Sequence, residues 1–261
     1  MQNAPSACPC CAGFNRRVAL GALIGVGAGL AFPKFAYAQA SDALLEPRLT
    51  LQPSDDGGRR VALTLDACPG GFDGKILQAL IDWHVPATIF MTGAWIRNNP
   101  DAVQLVMQHP ALFAIGNHGA HHVPAILGSR SIFGLRVAGD MQSVRAEITN
   151  GEDAIRKATG TSPRWYRGAT ALYSPAVVPT IAELGFSIAG FSINGDEGAS
   201  LSATGVLSRF KQARDGDVII AHVNQPHRPS GAGVIGGVRT LLDQNVRFVR
   251  LDGSVPSIVA L

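Results

Sequence analysis

Asn117-His118-Gly119-Ala120-His121-His122 is the stretch of this chain best equipped for chemistry. His118 and His122 are four residues apart, a spacing that puts two imidazoles on one face of a helical turn and within reach of one metal ion. An earlier apolar run, Val61-Ala-Leu-Thr-Leu-Asp66, ends in a carboxylate, and a later one, Val218-Ile-Ile-Ala-His222, ends in another histidine. A carboxylate, a histidine pair and a lone histidine, each just past a buried strand, are the parts of a metal-assisted hydrolase. Any one of these features alone would read equally well as a solvated surface. It is their combination that points to a site.

The elements needed to position these groups can be read from the apolar pattern. Strand-like runs at 61–65, 87–91, 112–115, 164–166, 186–189, 218–221 and 246–251 alternate with helical periodicity at 75–83, 101–108, 140–159, 175–184, 204–213 and 234–244. The strands are apolar along their length, as expected when both faces are covered. Regular alternation of this kind predicts an α/β protein with a parallel sheet, open or closed as a barrel, and chemistry at the carboxyl ends of its strands. The glycine-bearing loop 128–139 is a candidate to overhang that end. Trp95 and Trp165 are candidates to stack on a sugar face or to pack under the rim. Asn224, His227 and Arg228 follow His222 and are candidates for substrate contact.

The first 38 residues read as an export signal. Asn15-Arg16-Arg17 precedes an apolar run rich in glycine and alanine, and Ala36-Tyr37-Ala38 forms a small-x-small cleavage site. Paired arginines suggest the twin-arginine route, and hence a periplasmic or secreted protein without a stable membrane span after cleavage. A polar lead-in segment (39–60) and a single catalytic domain (61–261) follow. The chain's net charge of +3 comes from Arg16, Arg17 and Lys34. The mature part is near neutral, which argues against nucleic acid as a partner. Cys8, Cys10 and Cys11 fall in the leader, so Cys68 is the one cysteine of the mature chain, and no disulfide can staple it.

At these residues the chain resembles the polysaccharide deacetylases that share the NodB homology domain. Thr64-Leu65-Asp66-Ala67-Cys68-Pro69 is similar to the family's Thr-Phe-Asp-Asp-Gly-Pro. Ala87-Thr88-Ile89-Phe90 is similar to its Ala-Thr-Phe-Phe, and His118 to His122 to its His-Ser/Thr-x-x-His. Tyr166-Arg167-Gly168-Ala169 corresponds to its Arg-x-Pro-Tyr/Phe motif, and Ile220-Ala221-His222 to its Leu-x-His motif. The resemblance implies a distorted (β/α) barrel of about seven parallel strands in a single domain. It also implies a metal-dependent carbohydrate deacetylase, a hydrolase acting on carbon–nitrogen bonds other than peptide bonds. The implied cofactor is a divalent metal, zinc with cobalt or nickel as alternatives. The implied substrate is an acetylated glycan of the N-acetylglucosamine type.

The same resemblance implies the roles. His118 and His122 would hold the metal, Asp66 would be the general base, and His222 the general acid. Arg167 would orient Asp66. Asp196 would support His222, because a neighbouring carboxylate favours the imidazolium form. Three departures bear on this expectation. The family's metal-binding aspartate is Ala67 here, which has no donor atom. Asp73, beyond the Pro69-Gly70-Gly71 turn, is the candidate replacement, although it could equally cap the following helix. Asp66 itself and Cys68 are the alternatives. The arginine motif lacks its proline and aromatic residue, leaving Ala169, Thr170 or Tyr173 to fill part of that role. Gly119 replaces the family's hydroxyl residue. The loss of a metal ligand leaves open a non-catalytic glycan-binding domain. A hydrolase of small cyclic amides or N-acyl compounds is a further alternative.

Overall fold

A computed structural model of the chain describes residues 43–52 and 57–251, and the backbone of 257–260. The export signal expected over 1–38, with its three cysteines, lies outside the described residues. In chain order the strands are β1 (Arg48–Leu51), β2 (Arg60–Ala67), β3 (Ala87–Met91), β4 (Phe113–Asn117), β5 (Ser131–Ile132), β6 (Leu135–Arg136), β7 (Trp165–Tyr166), β8 (Ser187–Ile188), β9 (Ile193–Asn194), β10 (Val218–His222), β11 (Arg247–Val249) and β12 (Ser257–Ala260). The helices are α1 (Gly74–Asp82), α2 (Gly93–Asn98), α3 (Pro100–Met107), α4 (Met141–Thr159), α5 (Val178–Glu183), α6 (Ala203–Phe210) and α7 (Ser230–Asp243).

The apolar runs become the centre of one parallel sheet. β2 is buried at every position after its first, and β3 throughout. Seven strands follow the order β8-β7-β4-β3-β2-β10-β9, and β11 pairs with the start of β2. Every pairing in this sheet is parallel. Connections between parallel strands need crossovers, and the helices supply them, which gives the curled, half-barrel α/β architecture expected from the alternation. Side chains such as Leu63, Ile89, Ile76, Leu77, Val238 and Leu241 fill the layer between the sheet and helices α1 and α7. No helix among the described residues is long and apolar enough to cross a membrane.

Register places the chemistry. Asp66 lies opposite His222 across the β2–β10 pair, and Asn117 lies opposite Met91 on β3 and Tyr166 on β7. Asp66, His118, Arg167 and His222 therefore all leave the sheet at the same carboxyl edge.

Several features depart from the sequence reading. The lead-in segment carries β1, whose Leu49 and Leu51 are buried against Ala62, Phe90 and Val218. β1 pairs antiparallel with β12. The loop at 128–139 contains a β5–β6 hairpin whose two turn residues, Phe133 and Gly134, both have positive φ, 51° and 78°. Left-handed backbone costs a residue with a Cβ roughly 1–2 kcal/mol. Of the two readings open for Trp95 and Trp165, packing holds, since both belong to core clusters. Trp95 is fully buried, packs edge-on to Phe72 and donates from Nε1 to the carbonyl of Gly71.

Candidate active site

His118 to His122 is a loop after β4 rather than a helical turn. The pattern was legible, but the element that carries it was not. Gly119 has φ +85° and His122 has φ +68°, so the backbone reverses within five residues and brings the two rings together, with centroids 4.8 Å apart. The amide hydrogen bonds of such a loop must go somewhere. Asn117 Oδ1 accepts from the Gly119 N–H, and Glu147 Oε1 on α4 accepts from the N–H groups of His121 and Val123. The Glu147 backbone carbonyl accepts from Ala120. Glu147 is buried and was not anticipated, because nothing local to the histidine segment indicates a partner on a later helix.

The same carboxylate explains the missing hydroxyl residue. A Cβ at position 119 would meet Glu147 Oε1 at 2.4 Å. Gly119→Ser is therefore expected to destabilise the fold by about 2–4 kcal/mol, from the left-handed backbone and the displaced loop hydrogen bonds. Equilibrium denaturation measures this. An unchanged midpoint would mean that Glu147 does not organise the loop.

His118 Nδ1 lies 2.6 Å from the carbonyl oxygen of Arg167. A carbonyl can only accept, so Nδ1 carries the proton and Nε2 presents its lone pair. That lone pair faces Cys68 Sγ at 3.4 Å and Asp66 Oδ2 at 3.6 Å. Burial lowers the His118 pKa to about 4, against the pull of Asp66, so the ring is neutral near neutral pH. Cys68, His118 and His122 are all buried, and one donor atom from each lies within 4.8 Å of the others. Two imidazoles and a thiol form a donor set that suits zinc and similar borderline cations.

Asp73 is not in this group, which corrects the expected third donor. It caps α1, where Oδ1 accepts from the Lys75 N–H. A Cβ built on Gly231 would come within 2.2 Å of its other oxygen, so Oδ2 abuts the start of α7. Cys68 is the residue of this turn that lies beside His118. Side chains alternate along β2, so residues 64 and 66 share a face and 67 points away, and Cys68 follows directly after the strand. Thr64 and Asp66 both accept from Arg167 Nη1, Cys68 meets His118, and Ala67 joins the apolar cluster behind the sheet.

Arg167 is fully buried and fully engaged. Nη1 donates to Asp66 Oδ1 at 2.7 Å, Nε donates to the Ala189 carbonyl and Nη2 to the Gly190 carbonyl, while the guanidinium sits 4.3 Å from the centre of the Phe90 ring. Burial alone would raise the Asp66 pKa. Arg167, with His118 and His222, outweighs burial and holds the carboxyl below its ordinary 3.8. On the other side of β10, in the loop after β9, Asp196 accepts from the His222 backbone N–H at 2.7 Å and lies 2.9 Å from His222 Nδ1. The Nδ1 proton is thereby fixed toward Asp196, leaving Nε2 as the ring's other nitrogen for proton exchange. Asp196 is fully buried.

The rebuilt arginine motif forms the next part of the wall. Without its proline, the segment after Arg167 is braced by Tyr173, whose hydroxyl accepts from the Gly168 N–H and whose backbone pairs with Leu45. Thr170 and Ala171 take positive φ, 70° and 53°, and line a cavity of about 670 Å³ with Asp66, His122, Phe133 and His222. The exposed ring of His121 lies 3.5 Å from Glu147, outside the three-residue group. Asn224 and Arg228 tie loops instead of lining this cavity: Asn224 donates to the Pro69 carbonyl and Arg228 to that of Ala199.

Comparison with known proteins bears on the family and the fold. A family model described as polysaccharide deacetylase matches residues 54–189. A chitooligosaccharide deacetylase from Bradyrhizobium sp. (strain ANU 289) is 26% identical over 173 residues, covering 65% of this chain and 73% of the relative. Among solved structures, the peptidoglycan deacetylase PdaC from Bacillus subtilis superposes with a TM-score of 0.62 at 20% identity, over 77% of this chain and 91% of that one. A protein from Bacillus anthracis described as a carbohydrate esterase family 4 pseudoenzyme gives 0.60 at 16% identity, over 78% and 69%.

Proposed function

The chain belongs to the polysaccharide deacetylase family, and from that premise we propose that it is an exported hydrolase of acetylated glycans. Its proposed reaction is removal of acetyl groups from N-acetylglucosamine-type units at a divalent cation held by Cys68, His118 and His122. One observation carries this reading: the donor atoms of those three residues cluster beside Asp66, on the strand adjacent to His222, under an open cavity. The donor set suits zinc, with cobalt or nickel able to substitute.

A bound divalent cation supplies Lewis acidity, which polarises an acetamide carbonyl and acidifies water. The remaining work falls to the chain. Asp66, kept ionised and oriented by Arg167, accepts the proton of the attacking water. His222 gives a proton from Nε2 to the amide nitrogen as the carbon–nitrogen bond breaks, because an amine leaves poorly unless protonated. Asp196 balances the charge on that ring and fixes its orientation. His118 is neutral and aimed by the Arg167 carbonyl, so its lone pair is available without prior loss of a proton. Cys68 must lose its thiol proton, so cation binding is coupled to release of a proton.

The test is acetate release from chitooligosaccharides and peptidoglycan by the chelator-stripped protein and by the same protein reloaded with zinc, cobalt or nickel. Release should follow reloading. A protein that holds a stoichiometric cation yet frees no acetate from either substrate would sink the reading. Ala67 favours one alternative, a glycan-binding domain that has lost its chemistry. A chain that binds oligosaccharide but retains no cation would establish that alternative. The reading of small cyclic amides or N-acyl compounds as substrates draws no support from the family match.

A further inference from the structure

Glu46 lies ahead of β1, in the lead-in segment, and still reaches the cavity. Two contacts fix the backbone on either side of it. Leu45 exchanges hydrogen bonds with Tyr173, each N–H donating to the other's carbonyl at 2.9 Å. The Pro47 carbonyl passes so close to Gly190 that a Cβ built there would meet it at 2.0 Å. Both anchors belong to the framework that holds Arg167. Tyr173 braces the segment after it, and the Gly190 carbonyl accepts from its Nη2. Between these anchors Glu46 is exposed and lines the cavity with Asp66, His122 and His222.

The charge of that lining is uneven. Its carboxylates are Glu46, Asp66 and Glu197, and Arg209 is the one guanidinium among the described lining residues. Asp66 is paired with Arg167 and Glu197 with Arg209, whereas Glu46 has no ion-pair partner among the described residues. Arg130 and Arg136 of the β5–β6 hairpin do not line the cavity. A carboxylate without a counter-charge on a cavity wall repels an anionic ligand and is indifferent to an uncharged one of the same shape.

We propose that Glu46 is a specificity-determining residue that makes the cavity select uncharged acetylated glycans over glycans that carry carboxylates. The proposal rests on the glycan reading of the site and deepens it by naming the charge class of the substrate. Cys68, His118 and His122 are buried and serve both classes alike. Glu46 is exposed, so its field acts on the outer substituents of a ligand, where the two classes differ.

The test uses one ligand pair that differs chiefly in charge: an oligomer of alternating N-acetylglucosamine and N-acetylmuramic acid, as the free acid and as its methylamide. Calorimetric titration of the chelator-stripped protein gives a Kd for each without turnover. Wild type should bind the methylamide roughly 2- to 5-fold more tightly than the acid at low salt, the size of one exposed charge contact. Glu46→Gln should bring that ratio close to one, and Glu46→Lys should invert it. Salt at about 1 M, where the Debye length is about 3 Å, should abolish the preference of wild type. A merely structural role at position 46 would change both affinities together and leave their ratio and its salt dependence alone. Equal affinities in wild type, or a ratio that E46Q does not alter, overturn the selection. A preference that behaves as expected, in a zinc-loaded protein that frees acetate from neither this pair nor chitooligosaccharides, overturns the deacetylase reading and leaves the selection standing. Wild type that binds neither ligand overturns both.

Discussion

Cys68→Ala is expected to weaken zinc binding by roughly two to three orders of magnitude without unfolding the protein. Binding at a four-ligand zinc site is worth about 10–16 kcal/mol. A quarter of that, at about 1.4 kcal/mol per tenfold, gives the predicted loss. The thiol is buried and small, so alanine leaves little empty space behind. Competition against a chromogenic chelator measures the affinity. A second signature is independent of turnover: cobalt-loaded wild type should show a thiolate-to-metal charge-transfer band in the near ultraviolet, and C68A should lack it. An unaltered affinity together with a persisting band would remove Sγ from the ligand set. Placing the family's carboxylate back at position 67 is not the equivalent experiment. The Ala67 side chain belongs to the apolar cluster behind the sheet, and a charge there would be buried without a partner.

Asp66→Asn is expected to lower kcat by about 10²–10⁴, the usual worth of a positioned general base. It should also destabilise the fold. Arg167 is completely buried, and Asp66 is its carboxylate partner. Removing one member of a buried ion pair costs up to about 3–5 kcal/mol, although the Thr64, Ala189 and Gly190 oxygens continue to accept from the guanidinium. The pH dependence has a definite sign. Asp66 is depressed below its ordinary 3.8 on folding. Its contribution to stability is therefore complete above its unfolded value and is lost as pH falls through the lower folded value. The stability gap between wild type and D66N should be constant above about pH 4 and shrink below it. Urea unfolding at a series of pH values reads this gap. A variant as stable as wild type at pH 7, with undiminished kcat, would exclude both roles for Asp66.

Much of this arrangement is legible in the sequence, and the parts that are not share physical causes. β2, β3 and β10 declare themselves because a strand covered on both faces must be apolar along its length. Asp66, His118, Arg167 and His222 stand out as polar groups at the ends of such runs. Cys68 is harder to see. Aligning motifs column by column draws attention to position 67, whose side chain joins the apolar cluster behind the sheet, and away from the residue just past the strand. The β5–β6 hairpin escapes because two-residue strands are too short to show a period. Glu147 escapes because its partners are backbone N–H groups far away in sequence, and amides leave no compositional trace.

The pairing of β1 with β12 has a consequence for how the molecule is made. Arg48 pairs with Ala260 and Leu51 with Ser257, so nearly the whole described fold lies between partners that touch. Closing so long a loop precedes any reward from the contact, which makes this pairing a late event in folding. Until β12 is in place, one edge of β1 lacks its backbone partner. Of the described strands, the first in chain order is therefore among the last to be secured.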